Sequence, residues 1–416
     1  MPDNRPDPEQ LNLTVGLLTW ALPPEKSGLS RAALEIAHAV ADRGADVRVF
    51  TLDRTTRTQD GGVEIIGCGI EPGGWLGRTR RLMGIGHLAA PLAFYRAVTR
   101  EHHRRPFDVV EATNWYAPGA LIARWGPAPL VTRNSTPAAI SLAQEASVRN
   151  RIDAKAATAI ERASARASAM LISNTAAHGV TVAALYGTPA PGPGHAVIGL
   201  SLPAAITDCG ARAAYPGDGP IELLFIGRNE PRKGFDALVD AIAILADDAV
   251  PFRITLVGIG EDDVADLPAA ARSHVRLFHR VGEDALHDLL AAAHVVVAPS
   301  RYESFGLVYQ EAMAFGRPIV ACAEDASARV FVGDSGAGVL AATCSGADIA
   351  DAIRPLLRDP AVRERLAAAS RAAAGRFTRR TLGEETIRAY RSAMASNARS
   401  NRASSSGRAP SAAIAP

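Results

Sequence analysis

Pro299-Ser-Arg-Tyr-Glu-Ser-Phe-Gly-Leu-Val-Tyr-Gln-Glu-Ala-Met-Ala-Phe-Gly316 holds two glutamates, Glu303 and Glu311, eight residues apart across a strand-to-helix junction. The run before it, His294-Val-Val-Val-Ala298, is continuously apolar and short, which predicts a parallel strand buried on both faces. After it, Gly306 to Ala314 has helical composition, and Gly316 and Pro318 supply the usual stop. Ser304, Phe305, Gly306 and Leu307 then present backbone N–H groups at a helix N-terminus. Such an end attracts anions, because orphan donors and helix dipole act in the same direction. A carboxylate beside that end repels phosphate, so Glu303 and Glu311 are better matched to sugar hydroxyls. Phosphate bracketed by two hydroxyl-bearing rings describes a nucleotide sugar.

Two further blocks lie upstream. Leu223-Leu-Phe-Ile-Gly-Arg-Asn-Glu-Pro-Arg-Lys-Gly-Phe235 is a strand followed by a basic, glycine-flanked loop, and Ile254-Thr-Leu-Val-Gly-Ile-Gly-Glu261 is a strand followed by G-x-G. In this order over residues 221–380, the three blocks resemble the retaining GT-B glycosyltransferases, in particular glycosyltransferase family 4. Glu303 to Glu311 is similar to that family's E-x7-E motif, and Gly227 to Gly234 resembles its G-R-x3-4-K-G loop. The N-terminal half matches more loosely. The resemblance implies an α/β chain of two doubly wound, Rossmann-like parallel-sheet domains facing a cleft, with a C-terminal helix crossing back to the first domain.

Size and composition agree with that class. A chain of 416 residues should form two domains. Apolar content of 48% and mean hydropathy near zero describe a globular protein with ample core. The net charge of +2 gives no electrostatic case for nucleic acid. Cys68, Cys209, Cys322 and Cys344 lie far apart without C-x-x-C spacing, which reads as reduced thiols in a cytoplasmic protein. The first residues lack an apolar signal core, and no apolar run reaches the ~20 residues of a membrane span. With no D-x-D in the chain, we expect the pyrophosphate to be neutralised by protein groups, with no metal and no cofactor beyond the co-substrate.

Along the chain, helix and strand signals alternate, as parallel layers require. We expect a disordered N-terminus (residues 1–10), an acceptor domain (11–200), a Pro/Gly-rich linker (201–220), a donor domain (221–376), a crossing helix (377–394) and a disordered Ser/Ala/Arg tail (395–416). In open α/β sheets, ligands sit outside the carboxyl ends of the strands, so the three blocks should converge there.

Arg228 and Lys233 are the natural diphosphate partners, one a planar fork and the other a compact point charge. The chain has three lysines against 42 arginines (45 minus 3), so a lysine kept in this loop stands out. The resemblance gives Glu303, Arg228 and Lys233 the catalytic roles. It gives Glu311 the ribose hydroxyls, and Ser304, Phe305, Gly306, Leu307, Gly227, Gly258 and Gly28 the rest of the donor. Each alone also has an ordinary reading, a solvated charge or a helix-end carboxylate.

On the acceptor side, Ser27-Gly28 resembles the family's G-G loop, with serine at the first position. Leu130-Val-Thr-Arg-Asn-Ser-Thr-Pro137 resembles a loop in which relatives often carry histidine. Here Ser135 stands at that place, beside Arg133 and Asn134. His178 and His195 are near enough in sequence to be considered as replacements, but a lone histidine is usually structural.

Residues 74–105 interleave seven arginines with apolar and aromatic residues against one acid, Glu101. Such a helix can lie on an anionic membrane or simply pack on a core with a solvated arginine face. The expected partners are a nucleoside diphosphate sugar, a hydroxyl acceptor (glycan, glycolipid or small molecule) and peripheral membrane contact through 74–105 on the inner face. Two rival functions remain at this point: a weak or inactive sugar-nucleotide-binding subunit of a partner transferase, which Ser135 favours, and a GT-B nucleotide-sugar epimerase.

Overall fold

The computed structural model describes residues 13–23, 27–71, 73–79, 85–142, 148–217, 219–248 and 250–406. The chain divides into two compact units, one running to Gly199 and resuming at Arg379, the other spanning Leu200–Thr378.

Among the described residues, the first unit is built on eight strands: β1 (Thr14–Thr19), β2 (Asp46–Thr51), β3 (Arg57–Asp60), β4 (Val63–Gly67), β5 (Val109–Thr113), β6 (Leu130–Asn134), β7 (Met170–Ser173) and β8 (His195–Val197). Their order is β3-β4-β2-β1-β5-β6-β7-β8, parallel throughout except for the β3–β4 pair. The second unit has β9 (Ile221–Ile226), β10 (Phe252–Val257), β11 (Val275–Phe278), β12 (Val295–Ala298), β13 (Ile319–Cys322) and β14 (Gly338–Ala341), in the order β11-β10-β9-β12-β13-β14, all parallel. Central strands such as Val-Val-Val-Ala in β12 are apolar at every position because helices cover both sheet faces. Helix Gly346–Arg358 buries Ile349, Ile353 and Leu356 against helix Phe235–Ala246, which returns Leu238, Ile242 and Leu245.

Two expectations change here. Residues 201–220 are not a linker: helix Ala204–Arg212 lies inside the second unit and packs on helices Glu283–Ala292 and Leu307–Ala314. The Pro and Gly residues that suggest a linker only flank it, Pro203 before and Pro216 to Pro220 after. The last helix runs Arg379–Ser406, so part of the tail expected to be disordered is helical. Residues 407–416 and the N-terminal 1–10 lie outside the described residues.

The window 74–105 folds as helices Trp75–Thr79 and Ala89–Arg104 joined in part by the turn Ile85–Leu88; residues 80–84 lie outside the described set. The longer helix buries Ala90, Phe94, Ala97 and Val98 and exposes Arg96, Arg100 and Arg104. Its acid, Glu101, is buried and paired with Arg57 (2.8 Å) and Arg104 (3.1 Å).

The final helix is fastened to the first unit by ions. Arg379 forks onto Glu35 at 2.9 and 2.5 Å. Deeper, Glu111 of β5 accepts two bonds from Arg133 of β6 (2.7 and 3.2 Å) and one from Tyr390 (2.8 Å), while Arg133 also reaches Thr386 (2.9 Å). Both ions are buried, so removing one partner leaves the other charge uncompensated. Glu111→Ala should therefore lower the unfolding free energy by roughly 3–5 kcal/mol. A urea midpoint unchanged from wild type would show that the pair does not hold the helix.

Candidate functional site

In the second unit, the loops after β9, β10, β12 and β13 meet at the carboxyl edge of the sheet. Gly227 ends β9 by donating its N–H to Val257 (2.9 Å), and Gly258 ends β10 by donating to Phe278 (2.8 Å). Gly258 has φ +93°, and a Cβ there would lie 2.3 Å from the Gly227 carbonyl oxygen, so only glycine lets these loops touch. Asn229 Nδ2 donates to Asp263 Oδ1 (2.9 Å) and ties the same two loops by side chains.

Glu303 stands where the loops after β9 and β12 come together, only 8% exposed. Lys233 Nζ donates to its Oε1 at 2.6 Å, Ser300 Oγ donates to the same oxygen at 2.8 Å, and Arg232 Nη1 reaches Oε2 at 3.4 Å. Burial by itself would raise the pKa of Glu303; Lys233 and then Arg232 outweigh it and hold the carboxyl below its ordinary range. The Glu303 backbone N–H donates to Asp325 Oδ1 (3.0 Å), just past β13. Asp325 also caps the short helix Ala326–Ala328 and accepts from Tyr309 Oη at 2.9 Å. Burial and the neighbouring Glu303 charge push Asp325 up to about 6.

The remaining predicted residues divide. Gly306 is the N-cap of helix Leu307–Ala314 at φ +84°, where a Cβ would strike the Tyr309 ring at 2.3 Å. Ser304 and Leu307 are half-buried beside it. Phe305 turns its ring into the core, edge-on to Phe331 and Phe377, leaving only its backbone near the loop. Glu311 is buried one helical turn on, at 2% exposure. Arg228 is exposed and pairs with Glu230 at 2.7 Å. The arginine beside Lys233 and Glu303 is Arg232, which also donates to the Tyr302 carbonyl (3.1 Å). Arg232 and Asp325 were missed. Spacing singled out neither, although a carboxylate directly after the strand following the glutamate motif could have been sought by the carboxyl-edge rule.

In the first unit, Ser27, where the resemblance leads one to expect glycine, caps a helix. Its Oγ accepts the Ser30 N–H (3.0 Å) in a reciprocal capping box, and Gly28, the first residue of helix Gly28–Ala41, is exposed. The expectation that Arg133 faces a sugar is corrected, since its guanidinium is held by Glu111 and Thr386. Asn134 is buried and donates to Ser173 Oγ (3.0 Å). Ser135 Oγ donates to Asn114 Oδ1 (2.9 Å) and lies 3.1 Å from Thr113 Oγ1. His178 and His195 are structural: His178 Nε2 lies 3.2 Å from the Asn134 carbonyl and burial pushes it down to about 4, while His195 sits between Ser173 Oγ and the Pro189 carbonyl.

Sequence reasoning also missed a buried carboxylate on helix Val148–Ala167. Glu161 accepts from the N–H of Tyr116 (2.9 Å), the N–H of Ala138 (3.1 Å) and the hydroxyl of Tyr186 (2.7 Å), which in turn accepts from Asn114 Nδ2 (2.8 Å). Tyr116 and Ala117 carry φ of 53° and 41°, conformations that disfavour L-residues by about 1–3 kcal/mol each. Burial pushes the Glu161 carboxyl up to about 7. Among the described residues no cluster of three or more His, Cys, Asp or Glu has metal-site geometry, and all four cysteines are free.

Two family models match the chain: glycosyl transferases group 1 over residues 212–373, and a glycosyl transferase 4-like domain over 27–195. A D-inositol 3-phosphate glycosyltransferase of Nocardioides sp. is 30% identical, covering 95% of this chain and 93% of its own. Among solved structures, sucrose-phosphate synthase from Thermosynechococcus elongatus aligns with a TM-score of 0.74 at 21% identity, over 92% of this chain and 100% of that one. Anabaena HepE, solved with UDP and glucose, aligns with a TM-score of 0.63 at 21% identity, over 91% and 99%.

The raised Asp325 carboxyl has a consequence for stability. Its folded pKa exceeds the unfolded value of 3.8, so the folded state holds the proton longer. The stability this brings is full below pH 3.8 and is lost as pH rises through about 6. Relative to Asp325→Asn, which has no such proton, wild type should lose about 3 kcal/mol across that window. Urea unfolding of both proteins at pH 4 and pH 7.5 measures it, and parallel pH profiles would refute the assignment.

Proposed function

The chain belongs to the glycosyl transferases of group 1, which move a sugar from a nucleotide sugar to an acceptor, and we propose that it does so with retention at the anomeric carbon, without a metal ion, onto a hydroxyl group. The observation that carries this reading is Glu303, a buried carboxylate held ionised by Lys233 at 2.6 Å and Arg232 at 3.4 Å where parallel strands end. An ionised carboxylate accepts hydrogen bonds from hydroxyls, and the two cations beside it attract a diphosphate. Sugar and leaving group are thus matched by adjacent side chains.

Glu303 receives the hydroxyls of the transferred sugar, and Glu311 those of the ribose. Lys233 and the N–H groups of Ser304 to Leu307 meet the diphosphate, and Arg228 reaches it from the exposed rim. When Lys233 turns toward phosphate, Arg232 keeps Glu303 ionised. In the transfer step, the bond from the anomeric carbon to the phosphate oxygen breaks while the acceptor oxygen bonds to that carbon from the same face. The acceptor's proton passes to a phosphate oxygen. This route asks for no nucleophilic side chain. The protein acts by stabilising negative charge as it grows on the leaving group. The relative's name, with D-inositol 3-phosphate as its substrate, and the UDP in the Anabaena structure support a polyol hydroxyl as acceptor and a nucleoside diphosphate as leaving group.

The exposed face formed by Trp75, Arg78, Arg96, Arg100 and Arg104 supports peripheral contact with an anionic membrane on its cytoplasmic side. Among the described residues no helix is long and apolar enough to cross one. Co-sedimentation with phosphatidylserine vesicles, weakened when Arg96, Arg100 and Arg104 are changed to Gln, tests this; equal sedimentation with neutral vesicles counts against it.

The donor reading is tested by thermal shift in EDTA with UDP, GDP, ADP and their sugar conjugates. One base should stabilise the protein by about 2.7 kcal/mol at a hundred times its dissociation constant. That shift should vanish in Glu311→Ala and fall in Lys233→Ala. Proton NMR of the product's anomeric configuration then reads the stereochemistry. No shift with any nucleotide would overturn the donor reading.

A further inference from the structure

Glu303 is held by more than its cations. β12 and β13 lie side by side in parallel, with Ala298 opposite Ala321, so the loops leaving their carboxyl ends run together. The loop after β13 takes both backbone groups of Glu303. The N–H donates to Asp325 Oδ1 (3.0 Å), and the carbonyl accepts from Ser327 Oγ (2.9 Å). Asp325 and Ser327 are as buried as the strands they follow.

Asp325 is first of all a helix cap. The N–H groups of Ser327 (3.3 Å) and Ala328 (3.0 Å), in the short helix Ala326–Ala328, donate to it, the usual work of an aspartate in front of a helix. A carboxylate has sites for about four donors. The Glu303 N–H and the Tyr309 hydroxyl (2.9 Å) take the remaining places. Tyr309 is itself buried, on the helix Leu307–Ala314 that also carries Glu311. Protein donors thus fill Asp325 and leave it no oxygen for a ligand. Its effect on a ligand has to pass through the residue it holds.

We propose that Asp325 and Ser327 are positioning residues for the transferred sugar, locking the backbone of Glu303 so that its carboxylate meets the sugar hydroxyls already ordered. This rests on the reading of Glu303 as the sugar contact. Ordering a loop residue at the moment of binding costs affinity, and a residue held at both its N–H and its carbonyl avoids that cost. The effect falls on the sugar and spares the nucleotide, because a bare nucleotide has no hydroxyls to place against Glu303.

The test compares each bare nucleotide with its sugar conjugate by titration calorimetry on the full chain: UDP with UDP-glucose and UDP-N-acetylglucosamine, GDP with GDP-mannose, ADP with ADP-glucose. For the pair that wild type binds, the Kd of the conjugate divided by that of the bare nucleotide isolates the sugar. Asp325→Ala and Ser327→Ala should each raise this ratio roughly three- to tenfold, the effect of about one hydrogen bond. The bare nucleotide should bind as it does to wild type. Asp325→Asn keeps an oxygen for the Glu303 N–H and should raise the ratio less than Asp325→Ala. In a Glu303→Ala background the same substitutions should leave the ratio unchanged, since they act through the glutamate. A merely structural role would lower the melting temperature and weaken nucleotide and conjugate alike. If Asp325→Ala does not fold, Ser327→Ala, which keeps the carboxyl, decides.

A ratio unchanged in folded Ser327→Ala, equal losses for nucleotide and conjugate, or an undiminished effect in the Glu303→Ala background would overturn the proposal and leave the donor reading standing. A ratio that Glu303→Ala itself does not alter removes Glu303 from the sugar. Wild type that binds no nucleotide removes the donor site. Either of these last two results overturns the underlying reading, and the proposal with it.

Discussion

A carboxylate taken out of water must find donors, and in this chain the segments that supply them come from far apart in sequence. That constraint shapes both units. Glu111 brings together β5, β6 and the final helix through Arg133 and Tyr390. Glu161 joins the loops after β5 and β6 to Tyr186. Glu303 gathers Lys233 and Arg232 from the loop after β9, and its own backbone is fastened to Asp325 after β13. Each is almost wholly buried, and each would be an uncompensated charge or an ion forced to protonate if its partners were elsewhere. The hydrophobic sheets and helices make the layers; these carboxylates decide how the loops at the carboxyl edges are set.

Within the second unit, two carboxyl groups share one neighbourhood and are driven in opposite directions. Glu303 has two cations close by and stays ionised; Asp325 has Glu303's charge, Tyr309 and backbone donors but no cation within bonding distance among those described, and is pushed up. Their difference is one of partners, since both are buried. The result is one acceptor carboxylate fixed beside two cations by a second carboxyl that acts as its backbone anchor.

The fold was largely legible, and so were the loops. Continuous apolar runs such as β9 and β12 can only be parallel strands covered on both faces, and the glycines after them mark where chain must pass close to chain. What local spacing left open was the choice among like residues. Arg228 and Arg232 lie four residues apart in one loop, and nothing in local spacing says that the second turns inward while the first faces water. Arg133 sits beside Asn134 and Ser135 in the expected acceptor loop, but strand alternation sends its side chain toward Glu111 instead. Composition misled at 201–220, where flanking prolines and glycines hid an amphipathic helix that needs the second unit's surface to be stable.

The sequence by itself determined the two parallel-sheet units, the family resemblance and the loops that gather the candidate site, because periodicity, glycine placement and motif spacing are local properties. Only the tertiary structure decided which side chains share a charge. Glu161 and Tyr116 are 45 residues apart, and Glu303 and Lys233 are 70 apart. Whether a carboxylate is buried, ionised or clamping a strained corner depends on what packs over it, and no short-range pattern encodes that.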